Sequence, residues 1–328
     1  MQKNNSNLHL WILQHFPTPL IKLILTFYEP YKRYKMPERR VSFGKLNPDK
    51  VFYVIRFYNP SAGLLALYVY VLGYMKYAID HGYIPVIDMK NYHTVYQING
   101  NYNDNLWEWF FEQPFDITSG KRFSLDEVYQ SKNVILSCGS ENFHNSSMDK
   151  DVVKWQREMV KLIPFSKNMQ EYVDKMYEDI FPDRDNINVL GVPLRGTDLK
   201  KRVSQHAIQL SCNEAAVLTL KFMNKYKYNV VFCNSEEEVT IDEFSKSIPN
   251  VRHTNTIRIK DENVNGNVAF ANSKSNPRVF LKDYLTNIYI MSKCDSILGT
   301  MNNGYYTAYL WNNGNYEHFE LIDKGTYK

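Results

Sequence analysis

The sequence predicts an α/β protein of two halves, each a largely parallel sheet covered by helices, with a central cleft between them. Three observations predict it. Short β-rich runs alternate with longer apolar-periodic runs along most of the chain, the pattern of βαβ units. A polar, turn-rich stretch, "FPDRDNIN" (181–188), interrupts that alternation near the middle. Finally, 328 residues with 44% hydrophobic side chains suffice to bury two cores of roughly 150 residues each.

The elements follow in order. "KVFYVIRFY" (50–58) is β-rich, and "NPSAG" (59–63) breaks it before a long apolar-periodic helix, 64–82. "YIPVIDM" (83–89) is the next strand, so the opening is a βαβ unit that demands parallel strands and a right-handed crossover. "KNVILSC" (132–138) adds a strand, and helices follow over 151–163 and 166–180. Beyond the polar stretch the series restarts: strands at 189–194, 229–233 and 295–300 alternate with helices at 213–226, 239–248 and 279–294. We therefore divide the chain into a basic N-terminal segment (1–45), a first α/β domain (46–185) and a second (186–328).

Charge and cysteine usage narrow the partners. A formal net charge of +4 over this length argues against nucleic acid, whose binders carry a concentrated basic face. Lys22, Lys32, Arg33, Lys35, Arg39 and Arg40 crowd the first fifty residues beside Leu20, Ile21, Leu23, Ile24, Leu25, Phe27 and Tyr28. His15, Pro17, Pro19 and Lys22 break residues 8–28 as a spanning helix, and no signal-peptide cleavage site follows. Two readings stand for this segment: a helix packed on the protein's own body, or peripheral contact with an anionic membrane, as on the inner face of a plasma membrane. Cys138, Cys212, Cys233 and Cys294 lie singly, and the eight histidines have no metal-ligand spacing, so the expectation is a cytoplasmic, metal-independent protein without a cofactor.

"NVLGVPLRGTDLKKR" (188–202) raises the functional question. An apolar run delivers Arg195 and Asp198 to its own tip and is followed by Lys200, Lys201 and Arg202. In open α/β sheets ligands sit beyond the carboxyl ends of the strands, which makes an anion site one reading. A strand followed by a solvated loop is the other.

Three ordered motifs in the second half, "GVPLRGTD", "VVFCNSEEE" and "KCDSILGTMNNGYYTAYL", resemble the nucleotide-sugar-binding domain of fucosyltransferase-like GT-B glycosyltransferases. The likeness is closer to a bacterial branch of capsule and lipopolysaccharide assembly enzymes. "GLLALYVYVLGYMKYAIDHGYIPVIDMKNY", "LWEWFFEQP" and "SLDEVYQSKNVILSC" resemble that branch's first domain. The resemblance implies two Rossmann-like domains facing a central cleft and transfer of a sugar, L-fucose from GDP-fucose above all, onto a surface glycan or its lipid-linked precursor.

The residues then take roles. A leaving diphosphate gains charge as the glycosidic bond breaks, and a metal-free inverting enzyme needs a fixed cation there. Arg195 suits it because its fork holds phosphate oxygens bidentately and keeps its proton; pairing with a nearby carboxylate is the structural alternative. Asp198 orients Arg195 or caps the loop, or acts in the chemistry, and Gly196 and Thr197 complete the turn. The wider family pattern is H-x-R-R-x-D. Pro193 stands where its His would be, removing a donor to the nucleotide and leaving the nucleotide open. "QHAIQLSCNEA" resembles a G-H-P-x-Q-P loop of which His206 and Gln209 survive. His206 is a candidate general base, or a loop histidine that positions a phosphate or caps the helix beginning at Asn213.

Asn234 and Ser235 match a turn that meets ribose and base in the family. Glu236, Glu237 and Glu238 read as the acidic first turn of the next helix. In "GTMNNG" a strand leads into a helix near Gly304, so its N–H groups face a phosphate, with Thr300, Asn302 and Asn303 adding polar contacts. Asn59, Ser61 and Gly63 form a turn that could approach the same diphosphate, or Ser61 is a simple N-cap. Trp107, Trp109, Phe110 and Phe111 read either as a sugar-stacking platform or, by the usual burial of aromatics, as core. Outside the enzyme class, the alternative is a non-catalytic glycan- or nucleotide-binding protein on the same fold.

Overall fold

The computed structural model describes residues 31, 34–58, 62–97, 103–141, 143–195, 206–256, 258 and 276–327. Contacts divide the chain into two compact units between Met169 and Gln170, one helix earlier than the polar stretch at 181–188. That stretch is fastened to the second unit. Arg252 forks onto Asp183 at 2.6 and 2.8 Å, and Arg184 bonds Asp295 at 2.5 Å. Tyr289 likewise donates to Asp174 on the preceding helix at 2.5 Å, so turn-rich composition marks a clamped connection here.

The first unit contributes β1 (Arg39–Val41), β2 (Phe52–Ile55), β3 (Ile84–Ile87), a short antiparallel pair β4 (Phe115–Asp116) and β5 (Lys121–Arg122), and β6 (Val134–Leu136). Among the described residues its main sheet has the order β1-β6-β2-β3. β2 runs parallel to both neighbours, and β1 is an antiparallel edge. The helices are α1 (Leu64–Asp80), α2 (Leu125–Val128) and α3 (Lys150–Leu162). Strand alternation sets the packing. Phe52, Val54, Val86, Val134 and Leu136 meet Phe123, Leu125 and Val128 on one face, while Tyr53 on the other meets Tyr77 of α1, ring centroids 5.5 Å apart. Gly63, rather than Ser61, is the N-cap of α1. Trp107, Trp109, Phe110 and Phe111 are all buried, and Trp107 stacks on Phe111 at 4.6 Å. These aromatics are core.

The second unit begins with α4 (Lys167–Ile180), whose first residues precede the division, and holds β7 (Val189–Pro193), α5 (Cys212–Tyr226), β8 (Val230–Asn234), α6 (Glu238–Ser247), β9 (Val251–Arg252), α7 (Pro277–Ser292), β10 (Ser296–Gly299), α8 (Asn303–Asn312) and β11 (His318–Leu321). Among the described residues its strands are all parallel, in the order β11-β10-β7-β8-β9. Leu190, Val192, Val231 and Cys233 pack with Ala215, Ala216, Met223, Ile241 and Phe244 of α5 and α6. On the reverse face Gly191 lets α7 close down, because a Cβ there would collide with the Met291 sulfur. Ser211 and Glu214 form a reciprocal capping box at the start of α5, the arrangement that satisfies two orphan N–H groups at once.

This order has a consequence for ligands. The chain enters at the central β7, builds outward through β8 and β9, then returns to the other side for β10 and β11. The reversal lies between β7 and β10, and in such sheets the crevice at the reversal, beyond the strand carboxyl ends, takes the ligand. Among the described residues no helix is long and apolar enough to cross a membrane; residues 8–28 lie outside them.

Candidate functional site

Arg195 stands at the tip of β7. The ladder holds up to its doorstep: Pro193 pairs with Asn234, and the Leu194 N–H donates to the Asn234 carbonyl at 2.7 Å. The Arg195 side chain is 22% exposed, and its Nη1 lies 3.1 Å from Oε1 of Glu236, itself 13% exposed. The carboxylate pairing weighed from the sequence is therefore present. A partly buried acid keeps the guanidinium at the strand end.

This corrects the reading of the three glutamates as a helical first turn. Only Glu238 lies within α6; Glu237 is its N-cap residue, buried, and accepts from the Thr240 hydroxyl at 2.7 Å. Glu236 turns back to Arg195. Ser235 is buried and accepts the Glu237 N–H at 3.2 Å, while Asn234 is half-buried at the end of β8.

Across the reversal, β10 ends at Gly299 and leads into α8. Asn302 is the N-cap, its Oδ1 accepting the Tyr305 N–H at 2.9 Å, so the strand–turn–helix expected from "GTMNNG" is present. Its polar side chains are engaged within the protein. The Thr300 hydroxyl donates to Gln209 Oε1 at 2.7 Å, Asn302 Nδ2 donates to the same oxygen at 3.3 Å, and Gln209 Nε2 donates to the Met301 carbonyl at 3.2 Å. Thr300 and Asn302 thus build the turn. What the turn presents is the amino end of α8, where N–H groups lack intrahelical acceptors and the dipole favours an anion. Asn303 is the first helical residue. Gly304 is buried, and a Cβ there would press within 3.1 Å of Ile288 Cδ1 and Asn302 Oδ1, so close packing favours glycine without any ligand.

Gln209 is the residue that the sequence underused. It is a buried amide bonded on both ends, and its place in the loop between His206 and the cap Ser211 was the available signal. His206 itself is exposed. Its carbonyl accepts the Tyr327 N–H at 3.0 Å, and Ile208 N–H donates to the Gly325 carbonyl at 2.9 Å, so the chain's last described residues clamp the loop's backbone and leave the imidazole outside. The capping role weighed for His206 belongs to Ser211.

Asn59, Ser61, Gly196, Thr197 and Asp198 lie outside the described residues, as do Lys200, Lys201 and Arg202. Gly63 belongs to the first unit and caps α1. The structure brings Arg195, Asn234, Ser235, Thr300, Asn302, Asn303 and Gly304 to the carboxyl edge of three adjacent strands, β8, β7 and β10. Among the described residues, no group of three or more His, Cys, Asp or Glu side chains is placed to hold a metal ion.

The mixed α/β fold, with two sheets built on parallel strands, is that of GT-B fucosyltransferase structures. A crystal structure of NodZ alpha-1,6-fucosyltransferase co-crystallized with GDP matches with a TM-score of 0.52 at 13% sequence identity, covering 79% of this chain and 92% of that one. Fucosyltransferase NodZ from Bradyrhizobium matches with 0.51, at the same identity and coverage. POFUT1 in complex with GDP is more distant, at 0.37 and 11% identity over 61% of this chain and 56% of that one. At these identities the likeness is one of fold. No protein-family model matches the chain, and no curated protein matches it in sequence.

Proposed function

We propose that this chain is an inverting, metal-independent glycosyltransferase that moves a sugar, first of all L-fucose from GDP-fucose, onto a bacterial surface glycan or its lipid-linked precursor. One observation carries the reading. Arg195 at the tip of β7 and the amino end of α8 after β10 flank the reversal point of the second sheet, where an anionic nucleotide ligand is best served.

In such a transfer the acceptor oxygen bonds to the anomeric carbon as the bond to the diphosphate oxygen breaks. The acceptor proton goes to a base, and the diphosphate leaves with added charge. Arg195, held by Glu236, and the start of α8 meet that charge. His206, exposed on a loop with fixed backbone, is the base we propose. We assign Asp198 to the chemistry with Arg195, Gly196 and Thr197 to donor binding, Asn234 and Ser235 to ribose and base, and Asn59, Ser61 and Gly63 also to donor binding. The first domain takes the acceptor, and the basic N-terminal segment ahead of β1 contacts an anionic membrane from the cytoplasmic side, residues 39–45 being part of the first unit. Pro193 at the end of β7 favours a second reading, the same reaction with another nucleotide sugar, since it offers neither a side-chain donor nor a backbone N–H.

Calorimetric titration with GDP-, UDP-, CMP- and dTDP-sugars, followed by transfer assays in EDTA, tests this. The GDP-sugar should bind tightest and transfer should persist under chelation. Binding of none of them, or activity lost in EDTA and restored by Mg²⁺ or Mn²⁺, would contradict it.

A further inference from the structure

The first unit contains a cavity of about 350 Å³ beside the carboxyl ends of β3 and β6, within the range of small-ligand sites. Its walls come from the end of β1, the loop after β3, and α2 with Tyr129. The register explains one wall. Arg39 lies opposite Leu136, and Leu136 packs on the α2 face with Leu125, so Arg39 shares that face at the sheet's edge.

The loop after β3 is built rather than loose. Asp88, fully buried, accepts from the N–H groups of Lys90 and Asn91 at 3.0 and 2.8 Å, from Asn91 Nδ2 at 2.9 Å and from the Tyr129 hydroxyl at 2.6 Å. One buried carboxylate thus ties the loop to the opposite wall. Burial and the neighbouring Asp88 push the Tyr129 phenol well up, so it stays a donor to that acid. From the other side Arg56 Nη1 donates to the Tyr92 hydroxyl at 3.2 Å.

What this scaffold presents is specific. Phe43 is 43% exposed while packed on Tyr129, ring centroids 4.7 Å apart. Among the described residues the Arg39 guanidinium has no ion pair, and Lys90 has only Asp126 at 3.9 Å, a carboxylate 86% exposed; such a pair is weak and easily displaced. Among the side chains that line the cavity, two cations stand against one exposed acid. The Asn91 side-chain oxygen and Asp126 are hydrogen-bond acceptors.

We propose that this cavity binds a saccharide residue bearing a carboxylate or phosphate. Arg39 and Lys90 take the anionic group, Asn91 and Asp126 accept from ring hydroxyls, and Phe43 lies against the apolar ring face. A ligand needs hydroxyl donors, a negative group and an apolar face to use every wall, and an acidic or phosphorylated pyranose has all three. As an acceptor subsite it rests on the transferase reading. As a binding site it stands alone.

The full chain should be titrated by NMR with glucuronate, glucose 1-phosphate, methyl glucoside and inorganic phosphate, with GDP titrated separately. Glucuronate or glucose 1-phosphate should bind saturably, the stronger of the two identifying the source of the charge, while methyl glucoside and inorganic phosphate bind more weakly. Lys90→Ala and Arg39→Ala, both at exposed positions, should each weaken binding at least about five-fold, the low end for a charged hydrogen bond near solvent, and Phe43→Ala should weaken it too. GDP affinity should not change in these variants. Absence of saturable binding by both anionic sugars, binding indifferent to all three substitutions, or inorganic phosphate bound as tightly as the sugar phosphate would overturn the proposal. Failure of GDP alone would count against the transferase reading and leave the pocket standing.

Discussion

Each sheet carries an arginine just past its first parallel strand, at the point where strand order reverses, and the two arginines live in opposite surroundings. Arg56 follows β2 and is 3% exposed. Its Nε donates to the Ser137 carbonyl at 2.8 Å, Nη2 to the Pro37 carbonyl at 2.8 Å and Nη1 to the Tyr92 hydroxyl at 3.2 Å. Ser137 follows β6, so the guanidinium bridges the reversal between β2 and β6 and fills it with neutral oxygens of the protein. Arg195 follows β7, stays 22% exposed and meets a carboxylate on the β8 side. Topology locates both crevices. Arg56 is held by neutral oxygens and Arg195 by a carboxylate, and it is the second crevice that we propose takes the ligand.

The largest effect that can break this comparison is on stability. Arg56→Ala leaves the buried Ser137 carbonyl without its donor and removes the bonds to the exposed Pro37 carbonyl and the half-buried Tyr92 hydroxyl, and should cost about 2–4 kcal/mol, charged hydrogen bonds of which one is fully buried. Urea unfolding measures it, and Arg195→Ala by the same measurement should cost less, since Arg195 is 22% exposed where Arg56 is 3%. Equal losses would remove the distinction.

A smaller effect concerns the turn beside Arg195. Gln209→Leu takes the acceptor from the buried Thr300 hydroxyl and the donor from the Met301 carbonyl, and should destabilise by about 1–3 kcal/mol. It should also weaken donor binding by loosening the start of α8, which calorimetry would show; unchanged affinity would make the turn mere scaffold.

The smallest effect concerns the clamp behind the His206 loop. Lys324 bonds Glu214 at 2.7 and 2.8 Å. That bond first, then those from Ser211, hold the Glu214 carboxyl down at about 2 against an ordinary 4.5. A depressed folded pKa contributes stability that is complete above pH 4.5 and lost as pH falls from there toward 2. Because the pair is solvent-exposed, the contribution should be below about 1 kcal/mol. Unfolding free energies at pH 5 and pH 3 should differ less in Lys324→Ala than in the parent, and an identical pH dependence would exclude the clamp.

Most of the fold was legible because long periodic segments carry their own signal. The predicted helix at 213–226 is observed as Cys212–Tyr226, and the strand at 229–233 as Val230–Asn234. What escaped lacks that signal. β1 is three residues, Arg39–Val41, two of them exposed arginines, and β11 is half-buried throughout most of its four residues. Of the candidate site, the place of Arg195 at a strand end and the strand–turn–helix of 299–304 were legible, since position after a strand is written in sequence order. Its wiring was not. Glu236 faces Arg195 rather than starting a helix, and Gln209 reaches Thr300 across 91 residues, pairings that no local period encodes. Arg56 was passed over because "VIRFY" reads as a strand interior, and only its bonds to the Ser137 and Pro37 carbonyls and the Tyr92 hydroxyl reveal why a cation sits there.

The central claim is that β7 carries Arg195 to a leaving diphosphate. Charge there grows toward the transition state, so the arginine should matter more for turnover than for donor binding. The decisive measurement is kcat and donor Kd for Arg195→Lys, which keeps the charge and loses the fork. We expect kcat to fall by roughly two orders of magnitude or more, as on removal of one preorganised donor, with a smaller loss in Kd and a deeper loss in Arg195→Ala. A folded Arg195→Ala protein with near-normal turnover would contradict the account.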